Sequence, residues 1–238
     1  MNYNNKSNIF LNDSMMFRLR FFIKVKNIKL WSKEEVLDFK AKWQAIIIPV
    51  DIQIENKQIT LDLKRVESII LKADKIALGD CFCRSELNNC DFPLNTCVFF
   101  NDRAEKMVES GRAKWVTKKE AKSVAIDTHN KGLVHMAMHQ SNKTDQFPSE
   151  VCSCCSCCCN ALQGLMHTNN SDLVEPSELV TIYNSESCID CGECVDRCHF
   201  KARTLDSNGN LIFKSELCYG CGLCVSTCPE SIIELIKR

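Results

Sequence analysis

Eight cysteines between Cys188 and Cys228 fall into two copies of one spacing, and thiolates are ligands for iron and other soft metals. Cys188, Cys191, Cys194 and Cys198 read C-x2-C-x2-C-x3-C, and Cys218, Cys221, Cys224 and Cys228 repeat it. A thiolate at every third residue lets one tight turn of backbone wrap a corner of a cubane and present three sulfurs to three irons. The fourth cysteine, one helical turn further on, points away from that corner, so in a duplicated module it serves the other cluster. On this logic one 4Fe-4S cluster takes Cys188, Cys191, Cys194 and Cys228, and the second takes Cys218, Cys221, Cys224 and Cys198. Zinc and disulfides fit less well: zinc sites use well separated C-x2-C pairs, and disulfides need an oxidising compartment.

These residues resemble the bacterial-type two-cluster ferredoxin family over roughly Tyr183 to Arg238. Pro229 stands after the last cysteine of the second copy as the family has it, whereas the first copy has His199 there. Thr204-Leu205-Asp206 and Leu211-Ile212-Phe213 flank Ser207-Asn208-Gly209-Asn210, a hairpin signal. Such a hairpin is what the resemblance implies between the two copies.

Ten more cysteines precede this stretch. Cys81, Cys83, Cys90 and Cys97 follow an expected strand end at Gly79-Asp80, and Cys152, Cys154, Cys155, Cys157, Cys158 and Cys159 crowd into eight residues. If the chain stays extended past Asp80, Cys81 and Cys83 project to the same side. Asn88-Asn89 and Asp91-Phe92-Pro93 are turn chemistry that would bring Cys90 and Cys97 back to them. No hydrophobic core needs so many small thiols in a row, so metal ligation is the economical reading of all ten. They would supply two further four-thiolate clusters with two thiols over, or one cluster and free thiols. Arg84 is either a donor to a cluster sulfide or anionic ligand, or a surface arginine. The ensemble GDCFCR, NCDFPLNTC, GLVH and CSCCSCCC, from Ile47 to Cys159, is similar to the N-terminal part of ferredoxin-like 4Fe-4S dicluster proteins. That resemblance implies that these cysteines work together, and it implies no substrate.

The elements that must position these thiols are those of an α+β protein: a cysteine-rich N-terminal α+β region followed by a small ferredoxin-like domain of the bacterial 2x 4Fe-4S type. Residues 1–30 read as a flexible or docked arm, 31–165 as the cysteine-rich domain, 166–178 as a linker and 179–238 as the ferredoxin-type domain. Met1 to Ser14 is rich in asparagine, which predicts disorder and makes Met15 or Met16 a candidate start. A capping box at Ser32 and Glu35 opens a helix from Lys33 to about Trp43. Val50, Ile52 and Ile54, then Ile59, Leu61 and Leu63, alternate about a turn at Glu55-Asn56-Lys57. Val66, Ile69, Ile70 and Ala73 mark a helix, and Ile76 to Leu78 a strand. Val98 to Ser110 reads as helix stopped by Gly111, and a capping box at Thr117 and Glu120 opens another that ends near Gly132. Leu133 to Met136 is a short buried strand, in which His135 alone of the histidines points inward as a structural residue. Ala161 to Leu165 continues as helix, and Thr181 to Tyr183 supplies the first strand of the last domain.

Lysine plus arginine equals aspartate plus glutamate at 30 each, which gives no electrostatic case for a nucleic-acid partner. Arg18, Arg20, Lys24 and Lys26 interrupt the apolar run after Met15, so neither a secretory core nor a membrane span is expected. Eighteen cysteines, several adjacent, would scramble in an oxidising medium, and the chain reads as cytoplasmic. No dinucleotide fingerprint, phosphate loop or zinc-protease motif is present in the sequence. The leading expectation is therefore electron transfer between redox partner proteins, because a cubane ligated only by thiolates has no open iron for a substrate. Two alternatives stand beside it: an iron-sulfur subunit of an oxidoreductase with a chemically active N-terminal cluster, and a metal or redox sensor with zinc at the N-terminal cysteines.

Overall fold

Short runs rich in valine, isoleucine and phenylalanine cannot bury both faces alone, and here they join into one large sheet. The structure, a computed structural model, describes residues 34, 43–47, 51–55, 58–62, 64–140, 147–168 and 174–238. The strands are β1 (Trp43–Ile47), β4 (Ile76–Asp80), β5 (Asn95–Phe100), β6 (Ala113–Trp115), β7 (Val134–Gln140), β8 (Glu150–Cys154) and β9 (Val174–Glu175), in the order β6-β4-β5-β8-β7-β1-β9. Neighbours are antiparallel except β1 and β9. A separate hairpin, β2 (Asp51–Glu55) with β3 (Gln58–Asp62), is antiparallel as expected, with Glu55 paired to Gln58. The expected arm lies outside the described residues, as does the first helix apart from Glu34, and Trp43 opens β1.

Period-two alternation divides the sheet into two faces of different purpose. Val98 and Phe100 of β5, Val151 of β8 and Ala137 of β7 pack with Val66 and Ile70 of helix α1 (Lys64–Lys72). They also meet Ala121 and Ala125 of a longer helix, Lys118–Asn130, on the same face. That longer helix begins with the expected capping box, Thr117 to Glu120. On the opposite face Cys97 and Phe99 of β5 cluster with Ala77 and Cys81, while Met136 and Met138 of β7 cluster with Cys154 of β8. One face is thus ordinary core, and the other carries sulfur.

Two expectations need correction. The chain does not stay extended after Asp80: helix α2 (Phe82–Leu87) starts at once, with Cys81 as its N-cap and Asn88 in left-handed conformation (φ 45°) at its end. Backbone turns, not strand alternation, then bring Cys81 and Cys83 together. The expected helix from Val98 begins three residues later, as α3 (Asn101–Glu109), because Thr96 to Phe100 form a strand buried along its length. Helix α4 is the Lys118–Asn130 helix described above, and α5 (Asn160–Thr168) follows the cysteine-rich turn.

The C-terminal part has β10 (Leu179–Tyr183) paired with β13 (Ile233–Lys237), and β11 (Arg203–Leu205) paired with β12 (Leu211–Phe213), the expected hairpin. Helices α6 (Glu193–Asp196) and α7 (Leu223–Thr227) carry the third cysteine of each copy. Leu223 packs into the same cluster as Leu162, Met136 and Cys159, with Phe200, Tyr219 and Cys221 beside it. The two parts of the chain therefore share a core. Within the stretch read as a linker, α5 runs on to Thr168 and Val174–Glu175 pair with β1. No helix among the described residues is long and apolar enough to cross a membrane.

Candidate metal centres

Each C-terminal cysteine loop is bent by the same backbone device. Asp190 and Gly220 have positive φ (50° and 67°), as do Gly192 and Gly222 (80° and 76°), and Lys201 and Ser231 (56° and 54°), at matching positions in the two copies. Repeated turns aim the thiols inward twice over. One cavity is lined by Cys188, Cys191, Cys194 and Cys228, and another by Cys218, Cys221, Cys224 and Cys198. In each, the fourth thiol comes from the other copy.

A buried charge lies between these cavities. Arg203, 1% exposed, is held between the rings of Phe213 and Tyr183 at 4.4 and 5.2 Å from their centroids, and its Nη2 donates to Thr181 Oγ1 at 3.1 Å. Thr181 Oγ1 is in turn 3.6 Å from Cys218 Sγ. Burial pushes the Cys194 thiol up, and Cys224 up to about 11, while the Arg203 guanidinium beside both pulls them down. Its Nε and Nη1 have no hydrogen-bond partner among the described residues, as expected of donors that face an anionic cofactor.

The ten N-terminal cysteines do not form one group. Cys90, Cys155, Cys157 and Cys158 have their sulfurs all within 4.8 Å of one another. Cys90 Sγ is 3.7 Å from Cys155 Sγ and 3.6 Å from Cys158 Sγ, and Cys157 is 3.8 Å from Cys158. A tetrahedral ion with metal–sulfur bonds of about 2.3 Å sets its four sulfurs roughly 3.8 Å apart. Thiolates on separate corners of a cubane diverge instead, and neither C-terminal quartet forms such a tight group. The N-terminal four are a knot with the dimensions of one metal ion.

Arg84 closes this knot from inside. It is 1% exposed, so it is not the surface arginine of the alternative reading, and its hydrogen-bond partners among the described residues are carbonyls, a hydroxyl and a thiol with no carboxylate. Its guanidinium donates to the carbonyls of Pro93 and Ser153 and to Thr96 Oγ1, and Nη2 lies 3.8 Å from Cys155 Sγ. The hydrogen bond from Cys157 holds the Cys155 thiol down to about 5 against burial, and Arg84 adds to that effect. A buried cation needs nearby negative charge, and thiolates supply it here.

The remaining six thiols line one large cavity of about 890 Å³, which also touches Cys155 and Cys158. They form a string in space: Cys83 meets Cys81, Cys81 meets Cys97, Cys97 meets Cys152, Cys152 meets Cys154, and Cys154 meets Cys159. Glu150 is at its edge, where burial pushes the carboxyl up and Arg103, 3.1 Å away, opposes this.

Histidines join the two parts of the chain, and sequence reasoning missed two of them. His135 is buried, with Nδ1 3.3 Å from Ser153 Oγ, in the structural role expected. His129, left outside when His135 alone was expected to point inward, is fully buried, stacked on His135 at 6.3 Å, and reaches Ser226 Oγ of α7 through Nε2 at 2.9 Å. The partner that buries it is 97 residues away, so nothing local signals it. His199, where the other copy has Pro229, donates from Nε2 to the Gly132 carbonyl at 2.7 Å. Its Nδ1 then accepts from the Ser156 hydroxyl at 3.0 Å. One residue after the Cys198 thiol, it is thus tied to the turn that holds Cys155 and Cys157. The departure from the proline was the available signal.

Residues 181–235 match the family described as 4Fe-4S dicluster domain. That match and the cysteine content make this an iron-sulfur protein whose C-terminal part is a ferredoxin-type domain. No curated protein matches the chain.

Proposed function

We propose that the chain relays single electrons between partner proteins, and that its eight C-terminal cysteines hold the two clusters in crossed sets. Cys188, Cys191, Cys194 and Cys228 hold one 4Fe-4S cluster, and Cys218, Cys221, Cys224 and Cys198 hold the other. The observation that carries this reading is the pair of cavities, each lined by three thiols of one copy and the fourth of the other. When bound, such clusters accept and release one electron at a time without an open coordination site. The chain's own residues do the rest. The paired loops fix the two sites side by side, Arg203 places a positive charge between them, and Leu223, Phe200 and Tyr219 keep the inner side dry.

The N-terminal knot at Cys90, Cys155, Cys157 and Cys158 fits one tetrahedral ion, zinc or iron, better than a third cubane. His199 and Ser156 link it to the Cys198 side of the ferredoxin-type domain by hydrogen bonds, a short route for an electron if the ion is iron and a brace if it is zinc. A reducing cytoplasm suits adjacent thiols such as Cys157, Cys158 and Cys159, all of them free.

The test is metal and acid-labile sulfide analysis with visible and spin-resonance spectra on anaerobically purified full-length protein. Cys198→Ser and Cys228→Ser are each expected to damage the cluster of the opposite copy and to leave the knot metal in place. If either change affects only the cluster of its own copy, the crossed ligand sets are wrong.

A further inference from the structure

We propose that Cys81, Cys83, Cys97, Cys152, Cys154 and Cys159 form a separate chamber that takes one sulfide-bridged polynuclear iron cluster, larger than a cubane. The assignment goes beyond the electron-relay reading and uses none of its ligands.

The chamber is built by strand alternation and two helix starts. Cys152 and Cys154 leave β8 on the sulfur-bearing face, and the register that pairs Val98 with Val151 brings Cys97 of β5 beside Cys152. Cys81 and Cys83 enter from the start of α2, and Cys159 from the residue before α5. Ser153 points the other way, to Thr128 and His135. Neighbours in sequence are thereby sorted, with Cys152 and Cys154 going to the chamber and Cys155, Cys157 and Cys158 to the knot.

A single ion does not explain the six. It takes four ligands at tetrahedral spacing, and among the described residues no three of these sulfurs lie within 4.8 Å of one another. They surround a space instead, as the two C-terminal quartets do. The space is a partly open cavity of about 890 Å³, within the roughly 300–1,000 Å³ of sites that hold bound cofactors. One cubane would use four thiolates and leave two bare. Two separate cubanes would need eight, and the other cysteines touching the cavity, Cys155 and Cys158, belong to the knot. Two cubanes joined through a common sulfide leave six iron corners for thiolates, the number present. Arg84, fully buried on the wall shared by knot and chamber, and Arg103 at the rim supply positive charge against that many thiolates.

The experiment compares iron, zinc and acid-labile sulfide in anaerobically purified full-length protein and three double variants: Cys97→Ser with Cys152→Ser, Cys157→Ser with Cys158→Ser, and Cys198→Ser with Cys228→Ser. The chamber variant is expected to lose more than about four irons with matching sulfide, while keeping the knot metal and the dicluster spin-resonance signal. The knot variant is expected to lose one metal and no sulfide. Unchanged iron and sulfide in a chamber variant that retains the dicluster signal overturns the site, as does loss of one metal without sulfide. Loss of only about four irons overturns the six-thiolate assignment. Should the chamber variant not fold, the wild-type total decides: more than about twelve sulfide-linked irons upholds the chamber, and about twelve or fewer overturns it. Failure of the crossed sets appears separately, in the single Cys198→Ser and Cys228→Ser variants, because the double variant takes one ligand from each cluster in either arrangement.

Discussion

Replacing Arg203 by methionine should lower the potentials of both C-terminal clusters while leaving them assembled. Methionine fills the slot between Phe213 and Tyr183 and removes the buried charge. The guanidinium lies 3.1 Å from Thr181 Oγ1, which is 3.6 Å from Cys218 Sγ, and it lies beside Cys194 and Cys224, so it faces both sites. A unit charge roughly 6 Å from the added electron, at an effective dielectric of about 20, contributes about 3 kcal/mol. At 59 mV for each tenfold change in a one-electron equilibrium, that is on the order of 100 mV. A cation favours the more negative, reduced cluster, so its removal lowers the potential. The assay is an anaerobic redox titration followed by spin resonance, with iron content measured on the same samples and Arg203→Lys as the control that keeps the charge. Potentials that stay within about 20 mV of wild type in Arg203→Met with iron intact would refute the electrostatic reasoning.

Three further outcomes follow from the geometry. His199→Ala removes the hydrogen bonds to Gly132 and Ser156 and should cost about 1–3 kcal/mol, read as faster hydrogen exchange in the 153–160 turn; unchanged exchange there counts against the bridge. Burial lowers the pKa of His135 to about 4, so the unfolded chain binds the extra proton first as pH falls below about 6.5, and stability declines from there until pH reaches about 4. About 2 kcal/mol of that is gone by pH 5, and His135→Gln should flatten the fall in melting temperature between pH 6.5 and 5; an unaltered slope contradicts it. A Cβ at Gly220, where φ is +67°, would overlap the Leu179 carbonyl and Ser177 Oγ, so Gly220→Ala should cost more than about 2 kcal/mol and deplete iron at Cys218, Cys221 and Cys224; full iron occupancy would show that the turn can shift.

Local signals were legible wherever a residue's partner is near in sequence. The Ile52–Leu61 hairpin and the capping box at Thr117 rest on neighbours, and the duplicated cysteine spacing rests on an internal repeat. Val98 to Phe100 misled because a short apolar run carries neither period, and only pairing with β4 and β8 makes it a strand. The burial of His129 depends on Ser226, and that of Arg84 on the carbonyl of Ser153. The division of the ten N-terminal thiols was least legible. It depends on which side of β8 a residue leaves and on a turn that sends Cys155 toward Cys90, neither of which the run of cysteines encodes by itself.

The most direct measurement is the spin-resonance spectrum of the fully reduced, anaerobically purified chain. Two adjacent clusters held by exchanged ligands should give a broadened signal split by magnetic interaction, collapsing to that of an isolated centre in Cys198→Ser or Cys228→Ser. A spectrum of isolated centres in the wild-type protein, or a colourless protein free of iron, would contradict the account.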